Sequence, residues 1–131
     1  MKALIVEDSF TTRLILQKLL VKYGDCHVAV NGKEAVEAFR LALEANQPYD
    51  LICMDVVMPE MDGHEAVRMI RALEKSRGVL PNARVKIIMT TGLGDRLNVI
   101  MSAREQCDAY LVKPLDTSRL LNYLESFGLL K

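Results

Sequence analysis

Glu7 and Asp8 follow the apolar run Ala3–Val6, and Asp55 follows Leu51–Met54. Thr90, Thr91 and Gly92 follow Val85–Met89, while Lys113 and Pro114 follow Ala109–Val112. Carboxylates, hydroxyls and an ammonium group at the ends of apolar runs could together do phosphoryl chemistry. Two carboxylates about 4 Å apart repel by ~4 kcal/mol at an effective dielectric of about 20, so a trio brought together needs a cation among them. All-oxygen donors select a hard divalent ion, and a partly hydrated Mg²⁺ takes only one or two protein carboxylates. Mg²⁺ beside a carboxylate, with Lys and Thr donors, makes a site for a transferred phosphoryl group. The carboxylate can itself be the nucleophile, which gives an aspartyl phosphate.

These residues act together only if the chain brings them to one place, and its patterning predicts that it does. Five short apolar runs (the four above, with Cys26–Val30 second in order) alternate with segments of helical period. Mostly continuous apolar character suits strands covered on both faces, as in a parallel sheet. Leu16, Leu19, Leu20 and Tyr23 mark the first helical stripe, and Ala35, Ala38, Phe39 and Ala42 the second. Ala66, Met69, Ile70 and Leu73 mark the third, and Leu120, Tyr123, Leu124 and Phe127 the last. The fourth segment, about Asp95 to Gln106, is patterned only by Leu97, Ile100 and Met101 before Arg104 interrupts it. Asn31 with Glu34 and Asp62 with Glu65 have capping-box spacing, and Ser9, Asp95 and Asp116 are candidate caps for the other helices. Strand–helix alternation with short connections predicts right-handed crossovers and a doubly wound α/β fold. In such sheets ligands bind beyond the carboxyl ends of the strands, so the polar residues converge on one rim. Singly, each has a plain reading: a helix cap, a solvated lysine, a threonine bonded to backbone. Their joint position on one edge is what points to chemistry.

Composition narrows the classes of function. In 131 residues, seventeen Lys and Arg balance seventeen Asp and Glu. That balance argues against a chain held to nucleic acid chiefly by phosphate neutralisation. Half of the residues are hydrophobic, yet no run approaches the ~18 residues of a membrane-spanning helix. The three cysteines, Cys26, Cys53 and Cys107, are scattered and read as reduced, buried thiols of a cytoplasmic protein. His27 and His64 lie outside any zinc-ligand spacing.

The segment Asp55-Val-Val-Met58-Pro59-Glu-Met61-Asp62-Gly63 resembles the phosphoacceptor loop of response-regulator receiver domains of two-component signalling. Glu7-Asp8, Thr91-Gly92, Tyr110 and Lys113-Pro114 match the family's other marks in order and spacing, and the resemblance covers essentially the whole chain. It implies a flavodoxin-like (βα)₅ fold, strand order 2-1-3-4-5, with a cis Lys113–Pro114 bond. By the same resemblance Asp55 is the phosphoacceptor. Asp8 and Asp55 would hold Mg²⁺ directly with the backbone carbonyl of Val57, and Glu7 would act mainly through metal-bound water. Lys113 would pair with Asp55 and then with the phosphoryl oxygens. Thr91 would move to the phosphate, and Tyr110 would turn inward with it. The implied readout surface is the fourth helix, fifth strand and fifth helix.

The implied function is a phosphorylation-activated switch that catalyses its own phosphorylation and slow dephosphorylation. Its implied partners are a sensor histidine kinase or histidine phosphotransfer protein upstream and an effector protein downstream. After Pro114 only one helix is predicted, so the chain reads as a single receiver domain, residues 1–131, without an output domain. A phosphorelay intermediate and a receiver cut from a longer regulator are the alternatives. Gly92 stands where the family often has Ala, and Val57 and Leu93 are apolar where it is frequently polar. Other classes fit poorly. Gly92-Leu-Gly94 lacks the third glycine of a dinucleotide loop, a Walker loop is absent, and Val57 occupies the place of an Asp-nucleophile phosphatase's second Asp.

Overall fold

The computed structural model describes residues 1–92 and 106–130. The strands are β1 (Lys2–Val6), β2 (Asp25–Ala29), β3 (Leu51–Asp55), β4 (Lys86–Thr91) and β5 (Ala109–Val112). Among the described residues the helices are α1 (Phe10–Leu20), α2 (Gly32–Glu44), α3 (Gly63–Ser76) and α4 (Thr117–Ser126), the last being the fifth helix of the sequence reading. The sheet is parallel throughout, in the order β2-β1-β3-β4-β5. The predicted fourth helix, with its Asp95 cap, falls almost wholly on residues 93–105, outside the described residues, as does Leu93.

Strand alternation divides the core into two layers. Leu4, Val6, Ile52, Met54, Ile87 and Met89 face α2 and α3, where Phe39, Ala66, Val67 and Ile70 meet them. Ala3, Ile5, Leu51, Cys53 and Ile88 face α1 and α4, against Leu16, Leu20, Leu120 and Leu124. All of β3 is buried, which is why its sequence reads as an unbroken apolar run. The edge strand β2 departs from the two-faced expectation: only Ala29 is buried, because one side of that strand has no neighbour. In α3 the buried stripe runs through Val67 and Glu74, while Met69 is exposed, a rotation of the face that apolar spacing alone did not predict. The first stripe is likewise interrupted, since Tyr23 lies in a 3₁₀ turn (Val21–Tyr23) after α1 ends. Of the thiols only Cys53 is fully buried, and burial pushes it up to about 12, whereas Cys26 and Cys107 are half-buried.

Three of the predicted caps form. Asn31 Oδ1 accepts from Glu34 N at 2.8 Å, Asp62 Oδ1 from Glu65 N at 2.9 Å, and Asp116 Oδ1 from Ser118 N at 2.9 Å. The Glu34 carboxylate closes its box on Val30 N rather than on Asn31 N. Ser9 occupies the cap position of α1, but its side chain makes no capping bond. Asn31→Ala and Asp116→Ala are therefore expected to cost ~1 kcal/mol each, and Ser9→Ala only a few tenths. Urea unfolding measures this difference, and an equal loss at Ser9 would contradict the capping geometry.

Candidate functional site

The carboxyl ends of the strands form the rim that the spacing predicted. Register places Asp55 opposite Thr90 and Thr91 opposite Val112, so the ends of β3, β4 and β5 lie side by side. Asp55 is the last residue of β3, and Thr90 and Thr91 are the last two of β4, rather than residues that follow the strands. Sheet pairing therefore sets their directions, with no loop freedom. Glu7 N donates to Ala29 O at 3.1 Å, which continues the ladder one step past β1 and holds the Glu7-Asp8 corner against the sheet.

Behind Asp55 the chain turns tightly. Gly63 N donates to Val56 O at 2.8 Å, and a Cβ on Gly63 would sit 2.3 Å from the carbonyl oxygen of Asp55. No side chain fits there without moving the backbone that carries Asp55. Met61 O accepts from Gly32 N at 3.0 Å, which ties the same loop to the start of α2. Asp55 Oδ1 accepts from Val57 N at 3.2 Å, so one carboxylate oxygen is oriented by the loop that follows it.

Glu7, Asp8 and Asp55 offer carboxylate oxygens that lie within 4.8 Å of one another. Lys113 enters from the end of β5, with Nζ 2.8 Å from Glu7 Oε1 and 3.1 Å from Asp55 Oδ2. Glu7 Oε1 is buried, and the Lys113 ammonium is its partner. Glu7 Oε2 accepts from Ser9 N at 3.1 Å. Burial raises the Glu7 carboxyl above its usual range, against the opposing pull of Lys113 and of the Ser9 amide. Burial would lower Lys113, but its pairing with Glu7 and Asp55 outweighs this and holds the ammonium above its ordinary value. A single lysine thus pairs with two of the three carboxylates. Three clustered carboxylates facing one ammonium make an all-oxygen donor set that fits a hard divalent cation such as Mg²⁺.

Thr91 is 1% exposed, and its hydroxyl lies 3.5 Å from Gly92 O, beyond a strong bond. Tyr110 is not in the carboxylate cluster. It pairs with Met89, two positions before the Thr91–Val112 pair, and stands half-buried against the α2/α3 layer. The Lys113–Pro114 bond is cis, as the resemblance implied. Sequence reasoning missed Arg13, whose guanidinium donates to Glu7 O at 3.0 Å. Its signal was available: position 13 is one helical turn past the Ser9 cap and so returns to the rim.

The chain matches the family model described as the response regulator receiver domain over residues 3–125. It is 32% identical to the chemotaxis protein CheY of Thermotoga maritima, with 94% of this chain and 93% of that protein covered. Identity to the Bacillus subtilis CheY is 34%, over 92% and 91% of the two chains. A hybrid signal transduction histidine kinase of Dictyostelium discoideum is 34% identical over 98% of this chain, which spans 4% of that protein. Among solved structures, the receiver domain of the Arabidopsis thaliana histidine kinase CKI1, complexed with Mg²⁺ and BeF₃⁻, superposes with a TM-score of 0.76 at 33% identity, covering 95% of this chain and 89% of that one. The Saccharomyces cerevisiae response regulator Ssk1 receiver, in co-crystals with the phosphotransfer protein Ypd1, gives 0.80 at 29% identity, with 98% and 88% covered. The match along nearly the whole chain, in sequence and in fold, makes this protein a member of the response regulator receiver domain family of two-component signalling.

Proposed function

We propose that Asp55 accepts a phosphoryl group from a phosphohistidine on a partner protein and that the modified rim controls binding of a downstream effector. The observation that carries this reading is Lys113 Nζ held between Glu7 and Asp55 inside the carboxylate cluster. Asp8 and Asp55, with the backbone carbonyl of Val57, would hold Mg²⁺, and Glu7 would act through water. Bound there, the ion supplies positive charge that lets the anionic phosphoryl group approach anionic Asp55.

The chain's own residues do the rest. Asp55 Oδ1 is oriented by Val57 N and Oδ2 by Lys113, which fixes the carboxylate for in-line attack. As the Asp55 O–P bond forms, the N–P bond of the phosphohistidine breaks, and the imidazole keeps the electron pair and takes up a proton. Lys113 then pairs with a phosphoryl oxygen, and the Thr91 hydroxyl, weakly held by Gly92 O, is free to donate to another. Tyr110 follows Thr91 inward. Charge-assisted hydrogen bonds contribute about 1.5–3 kcal/mol each, so two or three formed only with phosphate supply the ~5.5 kcal/mol that moves a two-state equilibrium from 1:99 to 99:1.

Exposed apolar groups beside the rim suit a protein donor: Phe10 is 67% exposed, Ile15 46% and Val57 45%. That supports a sensor histidine kinase or a histidine phosphotransfer protein as partner. Similarity to the Ypd1-bound Ssk1 receiver and to hybrid kinases favours a second reading, a relay intermediate that passes the group on to a phosphotransfer histidine.

Incubation with a phosphohistidine donor and Mg²⁺ tests the proposal. The expected result is a hydroxylamine-labile label that maps to Asp55 by mass spectrometry and does not form when EDTA removes the metal before the donor is added. Uptake independent of the metal, or at another residue, would overturn it. Loss of the label to a phosphotransfer protein identifies the relay reading, and stable label with altered effector binding identifies the switch.

A further inference from the structure

A basic surface lies at the opposite end of the strands from the carboxylate rim, where α3 ends and β4 begins. Residues 68–86 carry six basic side chains (Arg68, Arg71, Lys75, Arg77, Arg84 and Lys86) against one acid, Glu74, in a chain whose formal net charge is zero. The fold does not spend this charge evenly. Glu74 is 2% exposed and is consumed by Arg71 and by Val85 N. Asp108, the other nearby acid, is consumed by Arg71 and by Ile87 N. Arg77 pairs with Glu44 at 3.6 Å. Among the described residues, exposed Arg68, Lys75 and Arg84 make no ion pair.

These cations line one groove of about 620 Å³ together with Gln106 and an apolar stretch of Ala72, Val79, Leu80 and Pro81. Leu80 is 66% exposed at the crest of the loop. On the other side of that crest is a hollow of about 510 Å³ lined by Leu43, Pro48, Tyr49 and Val79. Leu80 lines both hollows and presents an exposed apolar group between the apolar hollow and the cationic groove.

We infer that this face docks an acidic peptide segment of a partner protein, with an apolar anchor beside Leu80 and carboxylates on Arg68, Lys75 and Arg84. Charge complementarity selects an acidic occupant. The apolar walls favour a peptide over nucleic acid, because the groove offers no exposed aromatic on which a base could stack. Docking here leaves the carboxylate rim at the far end of the strands open, so the segment can stay bound whether or not the rim is modified.

The probe is a synthetic Glu- and Asp-rich peptide with a central leucine–phenylalanine pair, titrated into the unphosphorylated chain and followed by amide NMR shifts. The expected changes centre on Ala72, Lys75, Leu80 and Arg84. Combined Arg68→Glu, Lys75→Glu and Arg84→Glu should weaken binding about tenfold or more, as should added salt. Leu80→Ser in the protein, or serine in place of the peptide's apolar pair, should weaken it several-fold. Circular dichroism and the thermal midpoint, unchanged in these surface variants, separate lost docking from lost folding. No shifts in the groove at millimolar peptide, equal affinity in the charge-reversed chain, or tighter binding of a single-stranded oligonucleotide or of anionic lipid vesicles would overturn the inference.

Discussion

Asp55→Asn is expected to abolish phosphoryl uptake while leaving the domain folded. The amide has no anionic oxygen to attack phosphorus, and no other carboxylate of the cluster is oriented as Asp55 is, by Val57 N on one oxygen and Lys113 on the other. Stability should move little, by an argument of magnitudes. Asp55 loses an attraction to Lys113 at 3.1 Å, about 5 kcal/mol at an effective dielectric of about 20. It also loses repulsion from Glu7 and Asp8, whose oxygens lie within 4.8 Å, about 3.5 kcal/mol from each at the same dielectric. The two repulsions together exceed the attraction by roughly 2 kcal/mol before solvent screens exposed Asp8, so a small balance favours the variant. In metal-free buffer its thermal midpoint should equal or exceed that of the native chain. A labelled variant would move the acceptor elsewhere. A clear fall in the midpoint would show that Lys113 pairing, rather than carboxylate repulsion, governs the rim.

Arg71→Met is expected to be the most destabilising single change outside the apolar core, by roughly 3 kcal/mol, because breaking a buried ion pair strands its partner. The Arg71 side chain is 12% exposed and that of Glu74 is 2% exposed, with 2.8 Å between them. The same guanidinium donates to Val85 O at 2.9 Å and Gln106 O at 2.8 Å and reaches Asp108 at 3.1 Å. It therefore ties α3 to the entry of both β4 and β5. For a domain worth about 5–15 kcal/mol in total this is a large fraction. Chemical denaturation should show it, and hydrogen exchange should quicken at Ile87, whose amide donates to Asp108 at 2.8 Å. Adding Glu74→Gln to Arg71→Met should restore part of the loss, since it removes the stranded charge and keeps an acceptor for Val85 N. A double variant as unstable as the two single losses combined would contradict this account.

Most of the fold was legible because its signals are local. Continuous apolar runs marked the strands, and oxygen-bearing residues at Asn31, Asp62 and Asp116 marked helix starts that form as expected. Elements failed where burial depends on a neighbour the local pattern does not contain. Exposed Met69 and buried Glu74 exchange their usual places because Arg71 and Val85 N await the carboxylate. Ser9 has the chemistry of a cap but spends its amide on Glu7, and its hydroxyl makes no bond to the helix start. Arg13 and the Arg71 network escaped notice because a charged residue in a helix reads as solvated until its partners arrive.

By itself the sequence determined which residues could do chemistry. Glu7, Asp8, Asp55, Thr91 and Lys113 are set at strand ends by periodicity, and a parallel sheet must gather its strand ends on one edge. It also determined that the trio of carboxylates would need a cation. Only the tertiary structure decided how that need is shared. Lys113 Nζ comes within 2.8 Å of Glu7 and 3.1 Å of Asp55, while among the described residues Asp8 forms no ion pair. Tertiary structure also decided that the balanced charge of the chain separates into an acidic rim at one end of the strands and a basic groove at the other. Both outcomes depend on distances between segments far apart in the chain. Coulomb interaction falls with separation in space, and only the packed sheet and its helices set that separation.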